Sequence, residues 1–129
     1  MNETQLSQTE RISNRQFTNG YLTELAEILD AVTCDLGSEV GWPRFELGRL
    51  NVTEMAERRL DLDDIVEGLV THGFGRWGRL SQRELEANCQ ALQEGGRLLS
   101  RHRGAKGSVF WIGTDWDRRR TTVFMPVEH

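Results

Sequence analysis

Three histidines, two cysteines and a run of arginines are the side chains of this 129-residue chain best suited to chemistry. A histidine works as a general base when a partner orients its ring, and as a metal ligand when other ligands recur at short helical spacing. His72, His102 and His129 show no such spacing, and Cys34 and Cys89 are too few for a zinc site or a disulfide framework. The sequence therefore implies no metal and no cofactor. His72 falls at an expected helix end, where an imidazole caps free carbonyls and gains from the helix dipole. Its catalytic alternative is a general base beside Arg76 or Arg97, but no complete catalytic set accompanies it. The glycine-rich run 73–78 lacks the Lys-Ser/Thr ending of a phosphate loop, so Trp77 within it reads as a core plug.

A binding surface is the other candidate. Arg101, Arg103 and Lys106, then Trp116, Asp117, Arg118, Arg119 and Arg120, with Arg97 and Trp111 nearby, interleave cations with aromatics. That mixture suits nucleic acid, with charge for phosphates and rings for bases. Asp117 and Arg118, followed by Thr121 and Thr122, can equally pair to fix a turn. The chain is acidic, at net −4, which opposes general DNA binding. The charge is uneven, however: residues 1–67 hold 6 basic and 14 acidic side chains, and residues 68–129 hold 10 and 6. If the halves interleave in the fold, this asymmetry disappears. If they do not, the basic half meets an anionic partner or an opposite face of a second copy.

The elements that position these residues form one domain. Residues 1–16 are polar and aperiodic, and read as a disordered tail. Residues 17–44 supply a helix and a loop. The helix spans 21–32, with Asn19 as its cap and Leu22, Leu25, Ile28, Leu29 and Val32 on one stripe. Residues 45–129 form the core. A short or edge strand is expected over 45–52, and Thr53 caps a short helix to Leu60. Asp61 and Asp64 open a helix that ends at Gly73 in a left-handed cap. Ser81 and Glu84 form a capping box for a main helix reaching about Arg101, whose stripe runs through Leu85, Cys89, Leu92, Gly96 and Leu99. Cys89 is then a small buried hydrophobe, and Asn88 a buried amide bonded to the Trp77 loop. Residues 108–114 and 121–125 are the clearest strands, joined as a hairpin. The expected fold class is α+β: a small antiparallel sheet, the hairpin plus one further strand, packed on the main helix with shorter helices before it.

From Leu47 onward, several stretches recur in a known pattern. They are Leu47-Gly48-Arg49, His72-Gly73-Phe74-Gly75-Arg76-Trp77-Gly78, Asn88 with Ala91-Leu92, Gly96-Arg97-Leu98-Leu99-Ser100, Trp111-Ile112, Asp117-Arg118 with Thr121-Thr122, and Pro126. In these the chain resembles a family of small uncharacterised bacterial proteins common on plasmids and other mobile elements. Members are sometimes labelled a type I restriction methylation subunit. The glycine-rich cofactor loop and amino-acceptor motif that methyl transfer requires are missing here. Arg76, Arg101 with His102, and His129 stand where the family has an acid, an aromatic and a tyrosine.

The resemblance implies a mobile-element setting. The leading expectation is a cytoplasmic, non-enzymatic accessory or binding protein acting on a protein or nucleic-acid partner, with no membrane. A small nuclease-like toxin or hydrolase using His72 with Arg97 or Arg118, and a structural homo-oligomer, are the alternatives. From the ligand spacing, elemental analysis of the purified protein is expected to find no transition metal, and one equivalent of zinc would overturn that reading.

Overall fold

A computed structural model describes residues 22–31 and 43–129. The tail at 1–16, the Asn19 cap, Val32, Cys34 and the loop up to Trp42 lie outside the described residues. Residues 22–31 are helical (α1) and bury Leu22, Leu25 and Leu29. There follow β1 (Arg49–Val52), α2 (Glu54–Arg59), α3 (Leu62–Gly73), α4 (Gln82–Glu94), β2 (Leu98–Arg103), β3 (Val109–Thr114), β4 (Arg120–Phe124) and a 3-10 turn, Pro126–Glu128. No helix among the described residues is long and apolar enough to cross a membrane.

The class is α+β, with a small sheet packed on helices. The sheet has four strands in the order β1-β4-β3-β2. β2, β3 and β4 are antiparallel neighbours, whereas β1 lies parallel to β4. The sheet is therefore mixed rather than antiparallel, because the long connection from β1 to β4 returns the chain in the same direction, as a parallel pair requires. β1 is short and stands at the edge. Its burial alternates, with Leu50 and Val52 inward and Arg49 and Asn51 outward.

The capping signals are largely met. Thr53 accepts from Ala56 N, and Ser81 and Glu84 make the reciprocal box at 3.1 and 2.8 Å. Asp61 sits at the N-cap of α3 without a side-chain cap bond. Asp64 turns from the helix to accept from Ala105 N at 3.2 Å, pinning the β2–β3 turn. Phe74 takes the C-cap position expected of Gly73, and the left-handed residue falls at Gly75 (φ 80).

The main departure follows α4. Gly95 and Gly96 adopt φ 92 and 141, which end the helix there, so residues 98–101 are strand and not helix. The apolar stripe expected through Leu85, Cys89 and Leu92 is consequently not the packed face. Asn88 and Ala91 are buried instead, and Cys89 is exposed. Asn88 does form a buried amide, but its partner is the backbone of Leu99. It accepts from Leu99 N at 3.0 Å and donates to Leu99 O at 2.7 Å. Beside it, Arg101 N donates to Trp77 O at 2.9 Å. These bonds satisfy the outer edge of β2, which otherwise offers free groups to another strand. Trp77 is half-buried, stacked on Phe45 at 6.1 Å and edge-on to His72 at 5.5 Å, so it seals the sheet edge rather than plugging a gap between helices.

The helix that carries the core is α3. Its Ile65, Val66 and Leu69 meet Leu22, Leu25, Leu50, Val52, Phe110, Ile112 and Val123, so α1, α2 and α3 cover one face of the sheet.

Arg118 fastens the hairpin to α4. Its guanidinium donates to Gly96 O (2.6 Å), Ala91 O (2.9 Å) and Asp115 O (3.1 Å), and lies 5.7 Å from the Phe45 ring centroid. The expected Asp117–Arg118 pair is not formed, because Asp117 pairs with Arg119 at 3.7 Å. Charged donors to carbonyls are worth more than neutral ones, so Arg118→Ala should lower stability by roughly 2–4 kcal/mol in urea unfolding. Arg119→Ala, at an exposed position, should change it by less than about 0.5 kcal/mol. Equal effects would refute this division.

Candidate functional site

The inner face of the sheet is polar at one end. His72, Ser100, Thr114 and Thr121 are all fully buried. Ser100 on β2, Thr114 on β3 and Thr121 on β4 face inward beneath α3, which brings His72 among them. They form one unbroken series of contacts. His102 Nε2 lies 2.6 Å from Ser100 Oγ, and Ser100 Oγ lies 2.6 Å from His72 Nδ1. His72 Nε2 lies 2.9 Å from Thr114 Oγ1, and Thr114 Oγ1 lies 2.7 Å from Thr121 Oγ1. Thr121 Oγ1 donates to Leu47 O at 2.6 Å.

The far end decides the direction of the rest. A carbonyl only accepts, and a hydroxyl has a single proton. Thr121 spends its proton on Leu47, so Thr114 must donate to Thr121. His72 Nε2–H must then donate to Thr114, which leaves Nδ1 to accept from Ser100. Ser100 in turn accepts from His102 Nε2–H. With His72 neutral, both histidines carry their proton on Nε2 in this series. Burial, with His102 and Arg118 nearby, depresses the His72 pKa to about 3, and burial lowers that of His102 to about 4. These shifts keep both rings neutral near pH 7, and with neutral rings the series runs in this one direction.

This arrangement does not support His72 as a catalytic base. The side chain is fully buried, both nitrogens are occupied, and Arg97 lies over the opposite face of the sheet. Nor does His72 cap carbonyls at the end of α3, as its position suggested. Of the five side chains in the series, only His102 lines an open groove, of about 240 Å³, together with Asp64, Glu67, Thr71 and Arg76. Among the described residues no group of three or more His, Cys, Asp or Glu is arranged to hold a metal.

The outer face differs in kind. Its strand positions are Arg49 and Asn51 on β1, Leu99, Arg101 and Arg103 on β2, Val109, Trp111 and Gly113 on β3, and Arg120, Thr122 and Phe124 on β4. None belongs to the hydrophobic core cluster. Four are arginines and none is an acid. Trp111 stands directly opposite Phe124 on one side and Arg101 on the other. The Arg101 guanidinium lies 6.0 Å from the Trp111 ring centroid. Arg97 lies flat over Gly113, where a β-carbon would come within 2.7 Å of its Nη2, and its guanidinium is 5.6 Å from the Phe124 centroid. Thr122 sits beside Asn51, whose Nδ2 donates to it at 3.4 Å.

The residues expected to form one basic rim are thus divided. Arg101, Arg103 and Arg120 share the outer face with Arg97. Arg120 is paired with Asp115 at 3.3 Å, and Arg119 with Asp117. Arg118 is committed to carbonyls. Lys106 lies 3.8 Å from Asp61. Trp116 is 71% exposed at the hairpin loop. Thr121 faces inward and Thr122 outward. Phe124 was not singled out by sequence, although strict alternation with the inward Val123 marks its side. No protein-family model matches the chain, and no curated protein or solved structure is significantly similar to it.

The buried histidines make stability depend on pH. Unfolded imidazoles titrate near pH 6.5, whereas folded His72 takes a proton only near pH 3. The unfolded state therefore binds more protons between those values. The contribution is complete above about pH 6.5 and is lost as pH falls toward 3. His72 alone should cost roughly 2 kcal/mol of unfolding free energy between pH 7 and pH 5. Urea unfolding of wild type and His72→Gln across that range tests this, with the variant expected to show the shallower dependence.

Proposed function

We propose that this chain is a non-enzymatic binding protein that takes single-stranded nucleic acid on the outer face of its sheet. The resemblance to mobile-element proteins makes an accessory role on such elements the setting proposed with it. The observation that carries the reading is the pairing of Trp111 and Phe124 on the two central strands, flanked by Arg97 and Arg101, with no carboxylate at any outward strand position.

Two physical features favour a polyanion. Arg49 and Arg120 stand directly opposite in the parallel pair, and like charges so placed repel. Asp115 offsets part of that repulsion, and a phosphate between them would offset more. The charge asymmetry of the sequence survives folding only in part, because Lys106 pairs with Asp61 across the two halves. The acids of α3, including Asp63 and Asp64, belong to a helix packed on the inner face, whereas Glu84 of α4 lies within electrostatic reach of Arg101 and His129. The net charge of −4 is thus compatible with a local basic surface. A sheet with central aromatics suits unstacked bases rather than a duplex, since bases in a duplex have no free π-face. A hydrolase centred on His72 has the opposite support, as that ring is unreachable by substrate.

Fluorescence anisotropy with short labelled single strands of DNA and RNA tests the proposal. Trp111→Ala should weaken binding by roughly 1–3 kcal/mol, the range for loss of one stacked base. Arg101→Ala should reduce the logarithmic salt dependence by about 0.7 if it meets one phosphate. Arg119→Ala, outside the proposed face, should leave affinity unchanged. No binding up to ~100 μM, the weak end of non-specific association, would overturn the reading.

A further inference from the structure

The stacking place on Trp111 already holds a ring. The His129 imidazole centroid lies 4.8 Å from that of Trp111, with the planes at 36°, and 5.7 Å from that of Phe124. Stacked aromatic pairs have centroids in this range. Phe124 is an outward strand residue yet only 5% exposed, as Arg97 and His129 close over it. The segment carrying His129 is fastened. Glu128 Oε1 accepts from Thr53 Oγ1 at 2.8 Å and from Met125 N at 2.7 Å, and His129 N donates to Pro126 O at 3.0 Å. His129 itself remains exposed, and Val127 is 75% exposed, so the segment rests on the face without being buried in it.

We infer that His129 occupies the subsite of a base. A planar nitrogen heterocycle lies against Trp111 with a guanidinium close by, which is the environment that a stacked nucleobase needs. A nucleic acid and residues 126–129 then compete for Trp111. Binding requires the imidazole to leave, and the cost of that displacement lowers the apparent affinity by the fraction of molecules in which the site is filled. The segment is thus a built-in competitor of the ligand, anchored to α2 through Thr53. This inference rests on the nucleic-acid reading above.

Two substitutions at one position test it. His129→Ala removes the competing ring and should tighten binding of a short single strand roughly three- to tenfold, the scale of one aromatic pair. His129→Trp supplies a stronger internal stack and should weaken binding. A ring that helps to hold the base would give the reverse order, and that order would overturn the inference. Equal affinity of wild type and both variants would also overturn it. The second readout is nuclear magnetic resonance of the His129 ring protons. They should be displaced by the Trp111 ring current in the free protein, and return toward solvent-exposed positions as unlabelled oligonucleotide is added. Binding with unchanged His129 signals would refute competition while leaving the function intact. Failure of wild type and both variants to bind any strand would remove the function and the inference together.

Discussion

Leu47 O can only accept a hydrogen bond, and the interior of the domain is organised around that constraint. Thr121 donates to it, and the orientation passes through Thr114, His72 and Ser100 to His102. The series links the segment before β1 to β4, β3, α3 and β2. A buried polar group without a partner costs about 1–3 kcal/mol, so any displacement among these elements orphans more than one group. The same constraint argues against a through-going proton relay. A relay needs a terminus that takes a proton, and a carbonyl does not. The series acts as a fixed polar lock, with His102 at its open end beside the groove.

The lock explains why part of the sheet was hard to read from sequence. A strand is usually recognised by apolar residues on the inward face. β2 buries Leu98 and Ser100 and places His102 inward, while Leu99 and Arg101 face out. Its pattern therefore resembled the tail of a helix rich in leucine, and the two preceding glycines looked like a tolerable cost. Their φ values show them instead to be the helix stop. Thr114 and Thr121 invert the expected polarity in the same way. Nothing in local spacing announces that Ser100, His72 and Thr114 meet, since they lie 28 and 42 residues apart along the bonded pairs. Local signals held in part, since Asp61 makes no cap bond and Asp117 pairs with Arg119 rather than Arg118. The Ser81–Glu84 box, the Thr53 cap, the C-terminal hairpin and the burial of Asn88 all rest on interactions within a few residues or on the penalty for an amide in a helix interior.

The candidate face was legible only as composition. Arginines and aromatics were evident after Arg97, but grouping them as one rim treated neighbours in sequence as neighbours in space. Period-two alternation separates them. Thr121 and Thr122 point to opposite sides, and three consecutive arginines take three different roles. Arg118 binds carbonyls of α4 and its connection, Arg119 closes the loop on Asp117, and Arg120 joins the outer face. The positive φ of Arg118 (61°) turns its side chain out of the alternation, which is how one residue of the run is diverted to a structural bond.

The two faces of the sheet therefore depend on each other. An inner face that spends Ser100, Thr114 and Thr121 on hydrogen bonds has fewer apolar positions with which to hold the helices. α1, α2 and α3 supply the remainder through their leucines, isoleucine and valines. On the outer side, Trp111 is half-buried, and Phe124 is only 5% exposed beneath Arg97 and His129. Buried under α3 they would have strengthened the core, since an aromatic side chain there is worth several kcal/mol. Phe124 recovers most of that burial on the outer side, whereas Trp111 stays partly open beside Arg101 and His129. The cover consists of the Arg97, Arg101 and His129 side chains and not of a packed helix. For the proposed nucleic-acid binding, these side chains would have to give way before a base could stack on Trp111.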